Sequence, residues 1–221
     1  EHDRLGGKDP YSASKGMAEL VIKSYFESYF SSKDSNVRIG VARAGNVIGG
    51  GDWARDRIIP DCMKAWSKGD TVDIRSPSST RPWQHVLEPL SGYLTLACTL
   101  SMSSRYHGEA YNFGPLSQNN QSVSQLIDEM CLYWKDVRWR DVSEVGDHFH
   151  EAGLLKLNCD KALLELKWLP TLNFSETIKM TTDWYRDYYQ PADCNLKTIS
   201  SSQIDQYSLI AKEKGICWAS S

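Results

Sequence analysis

Short apolar segments alternate along this chain with longer segments that begin with helix-capping residues. Residues 37–43 and Ala110–Phe113 are rich in branched and aromatic side chains, which favours buried strands. After the second of these segments, Ser122 stands three residues before Gln125, a capping-box pattern that predicts the start of a helix. Strands that alternate with helices in this way predict an α/β fold with parallel strand pairs.

The same signals predict the other elements. Pro10 directly follows Asp9, a good N-cap, and Asn173 and Glu176 form a second capping-box pattern. Predicted helices cover residues 10–30, 56–67, 89–102, 123–134 and 174–188, and predicted strands cover residues 37–43, 72–75, 83–86 and 110–113. Past Pro191 the helical periodicity weakens and residues 197–206 are polar and serine-rich, so an appended tail without a predicted element is expected there.

Bulk properties exclude several classes of function. The formal net charge of −3 gives no electrostatic support for binding to nucleic acid or to an anionic membrane as a whole. The longest apolar stretch, residues 94–100, is too short to span a membrane, and the first residues do not form a signal peptide, so a cytoplasmic protein is expected. The six cysteines are widely spaced, which favours reduced core cysteines over disulfides. No metal site is predicted, and His148 and His150 are expected at the surface.

Tyr11 and Lys15 form a Tyr-x-x-x-Lys pair in the first predicted helix. Residues four apart lie on one helical face, so the ammonium group stands beside the phenol. A nearby ammonium stabilises a phenolate, which can then take a proton from a sugar hydroxyl. The alternative is an ordinary surface pair, because the spacing alone is common. The catalytic hypothesis gains from the context in which the pair stands, Asp9-Pro-Tyr-Ser-Ala-Ser-Lys-Gly16.

The glycine-rich segment after the strand at residues 37–43 favours an anionic ligand. Four glycines lie within residues 44–52, and glycine lets backbone N–H groups face anionic oxygens. Arg55 and Arg57 fall at the start of the next predicted helix, where free N–H groups and the helix dipole attract negative charge. Asn46 can both donate and accept hydrogen bonds. These residues predict a nucleotide-diphosphate site; the alternative is a glycine-rich turn with solvated arginines.

These motifs together resemble a known family. The helix of Tyr11 and Lys15 resembles the active-site helix of the extended short-chain dehydrogenase/reductases, the NAD-dependent epimerase/dehydratase family. The loop Gly45-Asn-Val-Ile-Gly-Gly-Gly-Asp-Trp53 and the segment Arg81-Pro-Trp-Gln-His-Val86 resemble those of its CDP-glucose 4,6-dehydratases. The resemblance implies a Rossmann-type NAD-binding domain with a smaller α/β substrate-binding domain. It also implies CDP-glucose as substrate, NAD as a tightly held cofactor and a homodimer as the complete enzyme.

The resemblance assigns roles to individual residues. Tyr11 and Lys15 match the catalytic pair, which also contacts the cofactor, with the lysine on the nicotinamide ribose. Arg81 matches an arginine that binds the substrate diphosphate, beside Asn46, Arg55 and Arg57. Trp83 is expected in the core. Many relatives carry Asp at the position of Glu88, which is expected to be a helix-terminal acid with a bound partner as the alternative.

Some family features lie outside these 221 residues. The glycine-rich cofactor motif G-x-x-G-x-x-G is not found in the sequence, and neither is the acid–base set that removes water. The chain is therefore expected to be the C-terminal portion of a longer enzyme and inactive alone. Residues 1–46 are expected to complete the cofactor domain, residues 47–190 to form mainly the nucleotide-sugar domain, and residues 191–221 to form the tail. Another extended reductase, such as a 4-epimerase, and a non-catalytic remnant are the alternatives.

Overall fold

The computed structural model describes residues 5–7, 9–32, 35–116, 120–144, 157–189 and 195–219. Its α-helices are α1 (Pro10–Tyr25), α2 (Ile58–Trp66), α3 (Leu87–Met102), α4 (Val123–Tyr133), α5 (Asp160–Leu166), α6 (Phe174–Tyr189) and α7 (Leu196–Glu213). One π-helical turn, Phe26–Phe30, continues α1, and two short 3₁₀ turns cover Ser104–Tyr106 and Cys217–Ala219. Among these described helices, none combines the length and the apolar character needed to cross a membrane.

The strands are short and form four two-stranded sheets. They are β1 (Val41–Ala44), β2 (Val47–Ile48), β3 (Thr71–Ile74), β4 (Thr80–Arg81), β5 (Gln84–His85), β6 (Ala110–Phe113), β7 (Gln121–Ser122) and β8 (Arg138–Asp141). The pairs β1–β6, β2–β5 and β3–β8 are parallel, whereas β4–β7 is antiparallel. The predicted alternation of strands and helices with parallel pairing is confirmed.

Most of the hydrophobic core lies between α2, α4 and α6. Met63 of α2, Leu126 and Met130 of α4, and Ile178 and Tyr185 of α6 are fully buried in one cluster. Burial of side chains this large is the main favourable term in folding, about 1.5–3 kcal/mol for each of the aliphatic ones. This cluster supports the segment 45–57 from behind, because Trp184 of α6 and Ile48 of β2 belong to it.

Helix α1 lies outside that core. Its N-cap Asp9 accepts the backbone N–H of Ser12 at 2.9 Å, as the sequence predicts, and Pro10 is the first helical residue. Gly16 is its one buried residue. A paired contact between the Arg43 guanidinium of β1 and the Glu19 carboxylate links the helix to the first strand pair.

Several elements differ from the sequence predictions. The strand expected at residues 37–43 covers only Val41–Ala44, and the helix expected from residue 56 begins at Ile58. Strand β8 and helix α5 were not predicted. The tail at 191–221 contains α7, whose Tyr207 and Ala211 are buried against the rest of the chain. Contacts far apart in sequence stabilise α7, so its weak local pattern did not reveal it.

The cysteine prediction is only partly right. Cys62 is fully buried in the core, and burial raises the pKa of its thiol well above the usual range. Cys98 and Cys217 are exposed instead. His148, His150 and Cys194 lie outside the described residues.

Candidate active site

A cleft of about 680 Å³ runs between α1 and the start of α2. Its lining includes Tyr11, Arg57, Arg81 and the loop from Ala44 to Gly49, which we call the floor of the cleft. Pockets of 300–1,000 Å³ are typical for small-molecule ligands. The cleft therefore has the size expected for a nucleotide sugar or a comparable metabolite.

The Tyr11 side of the cleft is open. The Tyr11 side chain is 71% exposed, and the Lys15 ammonium lies 5.5 Å from the centre of its ring. Because Asp9 and Pro10 fix the start of α1, Tyr11 stands in the first turn and Lys15 one turn later on the same face. The phenol and the ammonium thus present two hydrogen-bond donors side by side.

The floor of the cleft joins the two segments that carry the sequence motifs. β2 of the glycine-rich segment pairs in parallel with β5, so that Val47 lies opposite Gln84. The backbone carbonyl of Asn46 accepts the Gln84 N–H at 3.0 Å. This pairing brings half-buried Asn46 next to the segment that carries Arg81.

Packing and backbone geometry explain two glycines of the loop without a ligand. A Cβ on Gly50 would lie 2.1 Å from the indole of Trp184, a contact that backbone and ring cannot accommodate without moving. Gly51 has a φ of 82°, which L side chains rarely adopt. The close packing of the loop on α6 therefore explains part of the glycine pattern that the sequence associated with phosphate. Gly45 and Gly49 line the cleft itself.

Arg57 is the N-cap residue of α2. Its guanidinium donates to the Asp52 carboxylate at 3.1 Å, and its side chain is 63% exposed. The next residues, Ile58 and Ile59, also line the cleft. The helix start, with its free N–H groups and positive dipole end, therefore faces the cleft beside a guanidinium, a combination suited to an anion.

Arg81 approaches the cleft from a different element. It lies in β4, opposite Gln121 of β7, and its Nη1 donates to the Thr80 carbonyl at 2.8 Å. Trp83 is buried, and its indole N–H donates to the Gln121 carbonyl at 3.2 Å. The predicted core position of Trp83 is confirmed, although one part of it also borders the cleft.

The structure brings together most of the residues that the sequence singled out. Tyr11, Asn46, Arg57 and Arg81 line one cleft, with Lys15 beside Tyr11. Arg55 is exposed and lies outside the residues that line this cleft. Sequence reasoning missed the acids Asp52 and Asp56, which also line it. The spacing of opposite charges between Asp52 and Arg57 is the one signal that could have suggested their pairing.

Glu88 lies outside the residues that line the cleft and is almost completely buried. Its carboxylate accepts the Thr171 N–H at 2.9 Å, the Leu172 N–H, and the hydroxyl of Tyr207 from α7 at 3.0 Å. Burial raises the pKa of Glu88 to about 7, although these hydrogen bonds and nearby Lys214 act in the opposite direction. Glu88 stands in the first turn of α3, which confirms the helix-terminal acid that the sequence predicted, and it also has bound partners, one of them on α7.

Known proteins resemble the chain over most of its length. A CDP-glucose 4,6-dehydratase from Salmonella typhimurium is 42% identical over 207 residues, which cover 90% of this chain and 57% of that protein. A dTDP-glucose 4,6-dehydratase from Streptomyces antibioticus is 29% identical over 85% of the chain and 52% of its own length. The crystal structure of a Bacillus anthracis dTDP-glucose 4,6-dehydratase in complex with NAD aligns with a TM-score of 0.65 and 21% identity, over 84% of the chain and 55% of that structure. No family model matches the sequence.

These similarities confirm the resemblance to CDP-glucose 4,6-dehydratases and the α/β fold of Rossmann type. The chain is thus similar in sequence to nucleotide-sugar 4,6-dehydratases, at 42% and 29% identity to the two curated relatives above. It spans between 52% and 57% of the length of these three proteins.

Proposed function

We propose that this chain supplies the catalytic tyrosine and the substrate-binding cleft of an NAD-dependent CDP-glucose 4,6-dehydratase. One observation carries the proposal: a single cleft is lined by a phenol, two guanidinium groups, an amide side chain and the start of a helix. A nucleotide sugar needs this set, because its diphosphate requires cations and its sugar hydroxyls require a base and hydrogen-bond partners.

The choice of CDP-glucose rests on relatedness rather than on a contact to the base. The Salmonella relative named for CDP-glucose is 42% identical to this chain, whereas the Streptomyces relative named for dTDP-glucose is 29% identical. The loop residues 45–53 and the segment 81–86 resemble the CDP-glucose enzymes. They also line much of the cleft, so they stand where specificity would be set.

Tyr11 and Lys15 fit one part of NAD. Tyr11 lines the cleft and Lys15 stands beside it, and two neighbouring donors suit the hydroxyls of a ribose. Bound NAD would supply the two-electron oxidation of the sugar at C4. The proposal is that the phenolic oxygen of Tyr11 takes the proton of the C4 hydroxyl, while the Lys15 ammonium stabilises the phenolate.

The remaining residues of the cleft bind and orient the sugar nucleotide. Arg57 and Arg81 approach from two elements and would hold the diphosphate between them, where planar guanidinium groups match phosphate oxygens. Asn46 would bind a sugar hydroxyl or a phosphate oxygen. The overall reaction would be loss of water to give CDP-4-keto-6-deoxyglucose. We assign no residue of this chain to the removal of water.

Two further proposals follow from the relatedness. We expect that the 221-residue chain alone neither retains NAD nor turns over CDP-glucose, because the glycine-rich cofactor motif is not found in its sequence. We also expect the active enzyme to be a homodimer. The alternatives are a nucleotide-sugar 4-epimerase and a non-catalytic remnant. Product analysis distinguishes all three once the chain is joined to the missing part of a relative, since an epimerase then yields no 4-keto sugar and a remnant yields no product.

The test of the substrate assignment compares two arginines by calorimetry. Arg81→Ala removes a cleft guanidinium, and Arg55→Ala is the matched control, an exposed arginine outside the cleft. Loss of a charge-assisted hydrogen bond is worth about 1.5–3 kcal/mol, so we expect CDP-glucose to bind roughly 10- to 100-fold more weakly to Arg81→Ala. Arg55→Ala should bind as the unchanged chain does. Equal losses in both variants, or tighter binding of dTDP-glucose than of CDP-glucose, would contradict the assignment.

NAD binding and turnover are best measured in a chimera. In this chimera, the chain is joined to the part of the Salmonella relative that lies outside the aligned region. We expect Arg81→Ala to weaken CDP-glucose binding to this chimera more than it weakens NAD binding. A similar loss for both ligands would point to a general structural role for Arg81.

A further inference from the structure

The hydroxyl of Tyr185 holds the backbone of the glycine-rich loop at Asp52. It accepts the Asp52 N–H at 3.0 Å and donates to the Asp52 carbonyl at 2.7 Å. The two residues are 133 positions apart, and the Tyr185 side chain is fully buried on α6. Burial raises the pKa of this hydroxyl, so it stays neutral and can keep both hydrogen bonds. One buried side chain thus fixes both backbone groups of one loop residue.

The Asp52 side chain passes this restraint on to the cleft. Its Oδ1 accepts the Ala54 N–H at 2.9 Å, and its Oδ2 accepts from the Arg57 guanidinium at 3.1 Å. Arg57 is largely exposed, so without a partner its long side chain would sample many rotamers. The Asp52 carboxylate limits those rotamers while leaving further N–H donors of the guanidinium to face a ligand.

Two aromatic rings hold the same loop from the sides. Trp184 packs against Gly50 so closely that no Cβ fits there. The Trp53 ring meets the Tyr185 ring edge-on, with 5.4 Å between ring centres. The loop cannot slide along α6 without losing these contacts, so the hydroxyl of Tyr185 selects one position of Asp52.

We propose that Tyr185 is a positioning residue: it fixes Asp52 so that the Asp52 carboxylate holds Arg57 in place to bind the diphosphate of a nucleotide. The identity of that ligand rests on the function proposed above. The positioning itself rests only on the contacts between Tyr185, Asp52, Ala54 and Arg57. It can therefore be tested with and without a ligand.

The ligand-free test measures amide hydrogen exchange by NMR in Tyr185→Phe. This change removes one hydroxyl and keeps the ring in the core. The matched control is Tyr189→Phe, on the same helix, whose ring also meets Trp53 and whose hydroxyl contacts Ser67 instead. We expect exchange at the amides of residues 52 and 54 to rise at least about tenfold in Tyr185→Phe and to stay within about twofold in Tyr189→Phe. Unchanged exchange in Tyr185→Phe, or an equal rise in both, overturns the proposal.

A second variant covers the case in which Tyr185→Phe does not fold. Asp52→Ala alters a loop side chain and leaves α6 intact. If Tyr185 holds Asp52 and Asp52 in turn holds the residues after it, Asp52→Ala raises exchange at the amide of residue 54. Exchange at the amide of residue 52, which Tyr185 still holds, should not rise. Exchange that stays unchanged at residue 54 shows that the Asp52 carboxylate does not restrain the loop, and the proposal fails.

The ligand-bound test is a double-mutant cycle with CDP as the probe. We expect Tyr185→Phe and Arg57→Ala each to weaken CDP binding about tenfold, and the double variant to bind no more weakly than Arg57→Ala alone. Losses that multiply mean that Tyr185 does not act through Arg57, which overturns the proposal. If the unchanged chain binds neither CDP nor CDP-glucose, the proposed function fails. The exchange measurements then decide on positioning by themselves.

Discussion

Helices α1 and α6 are both 16 residues long, yet the chain covers them very differently. One residue of α1 is buried, Gly16, whereas seven residues of α6 are buried. The helix that carries the motif tyrosine therefore lies at the edge of the described structure, and the helix that carries Tyr185 lies in its core. The motif tyrosine and the loop that carries Arg57 are therefore supported by helices that differ greatly in burial.

The difference in burial separates the candidate catalytic residues on α1 from the structural residues on α6. On α1, side chains such as Tyr11 and Lys15 are exposed and can be changed with little effect on packing. On α6, Trp184 and Tyr185 hold the loop that presents Arg57, so a change there alters both stability and the shape of the cleft. We therefore expect substitutions on α1 to act mainly on turnover. Substitutions on α6, or in the buried core that surrounds it, should act mainly on stability and binding.

The largest effect is expected for Tyr11→Phe in the chimera described above. Removing a general base lowers turnover by roughly 10²- to 10⁴-fold, whereas CDP-glucose binding and the unfolding temperature should stay the same because the side chain is exposed. Steady-state turnover, calorimetry and thermal unfolding measure the three quantities. Tyr25→Phe, an exposed tyrosine on the same helix, is the control. Near-normal turnover in Tyr11→Phe would show that the pair with Lys15 is not catalytic.

The next largest effect concerns Glu88, in the covered part of the molecule. Its folded-state pKa of about 7 lies above its ordinary value of 4.5, so the folded state binds the proton more tightly than the unfolded state does. This contribution to stability is complete below pH 4.5 and is lost as the pH rises through 7. It amounts to at most about 3 kcal/mol. A glutamine at position 88 cannot titrate. As the pH rises over this range, the free energy of unfolding of the unchanged chain should therefore fall relative to that of Glu88→Gln.

Urea unfolding between pH 4 and pH 8 measures that difference. The matched control is Glu27→Gln, at an exposed glutamate in the π-helical turn after α1, where no such trend is expected. A difference between the Glu88→Gln variant and the unchanged chain that does not vary with pH would mean that Glu88 keeps one protonation state throughout.

A smaller effect on stability is expected when a glycine is replaced by alanine in the loop packed on α6 and in α1. Gly50→Ala places a Cβ against the indole of Trp184 and should destabilise the fold by about 1–3 kcal/mol, as overpacking does. Gly16→Ala places a Cβ 2.7 Å from the backbone nitrogen of Gly6, so the backbone there must move to accommodate it. Alanine is the better helix former by up to about 1 kcal/mol, which offsets part of that cost, so this variant should lose less stability than Gly50→Ala. Equal losses in urea unfolding would show that the two regions are equally constrained.

The sequence predicted the features that depend on local contacts. Three predicted helix starts are capped in the expected way, because each cap bonds within three residues: Asp9 with Ser12, Ser122 with Gln125, and Asn173 with Glu176. Such a cap depends on the types of residue at the helix start and not on the rest of the fold. Of the candidate site residues, Tyr11, Asn46, Arg57 and Arg81 came together in one cleft, with Lys15 beside Tyr11.

Long-range contacts explain what the sequence did not predict. Strand β8 reads Arg-Trp-Arg-Asp and lacks the branched residues of a typical strand, yet it pairs with β3 across more than sixty residues. Helix α7 is polar, and its position depends on the bond between Tyr207 and Glu88, 119 residues apart. The role of Tyr185 depends on Asp52 in the same way. No local pattern contains such pairings.

The smallest effect is expected on the exposed face of α1. Leu20 is 57% exposed, and Met17 and Val21 beside it are exposed to a similar degree. Leu20→Gln should therefore change the free energy of unfolding of this chain by no more than about 0.5 kcal/mol, the range of ordinary surface substitutions. The control is Leu126→Ala on α4, where the side chain is fully buried and about 2–5 kcal/mol should be lost. Urea unfolding at two protein concentrations measures both. A loss above about 1 kcal/mol for Leu20→Gln that grows with protein concentration would mean that a second copy covers this face in solution, and that the contrast between α1 and α6 belongs to the single chain alone.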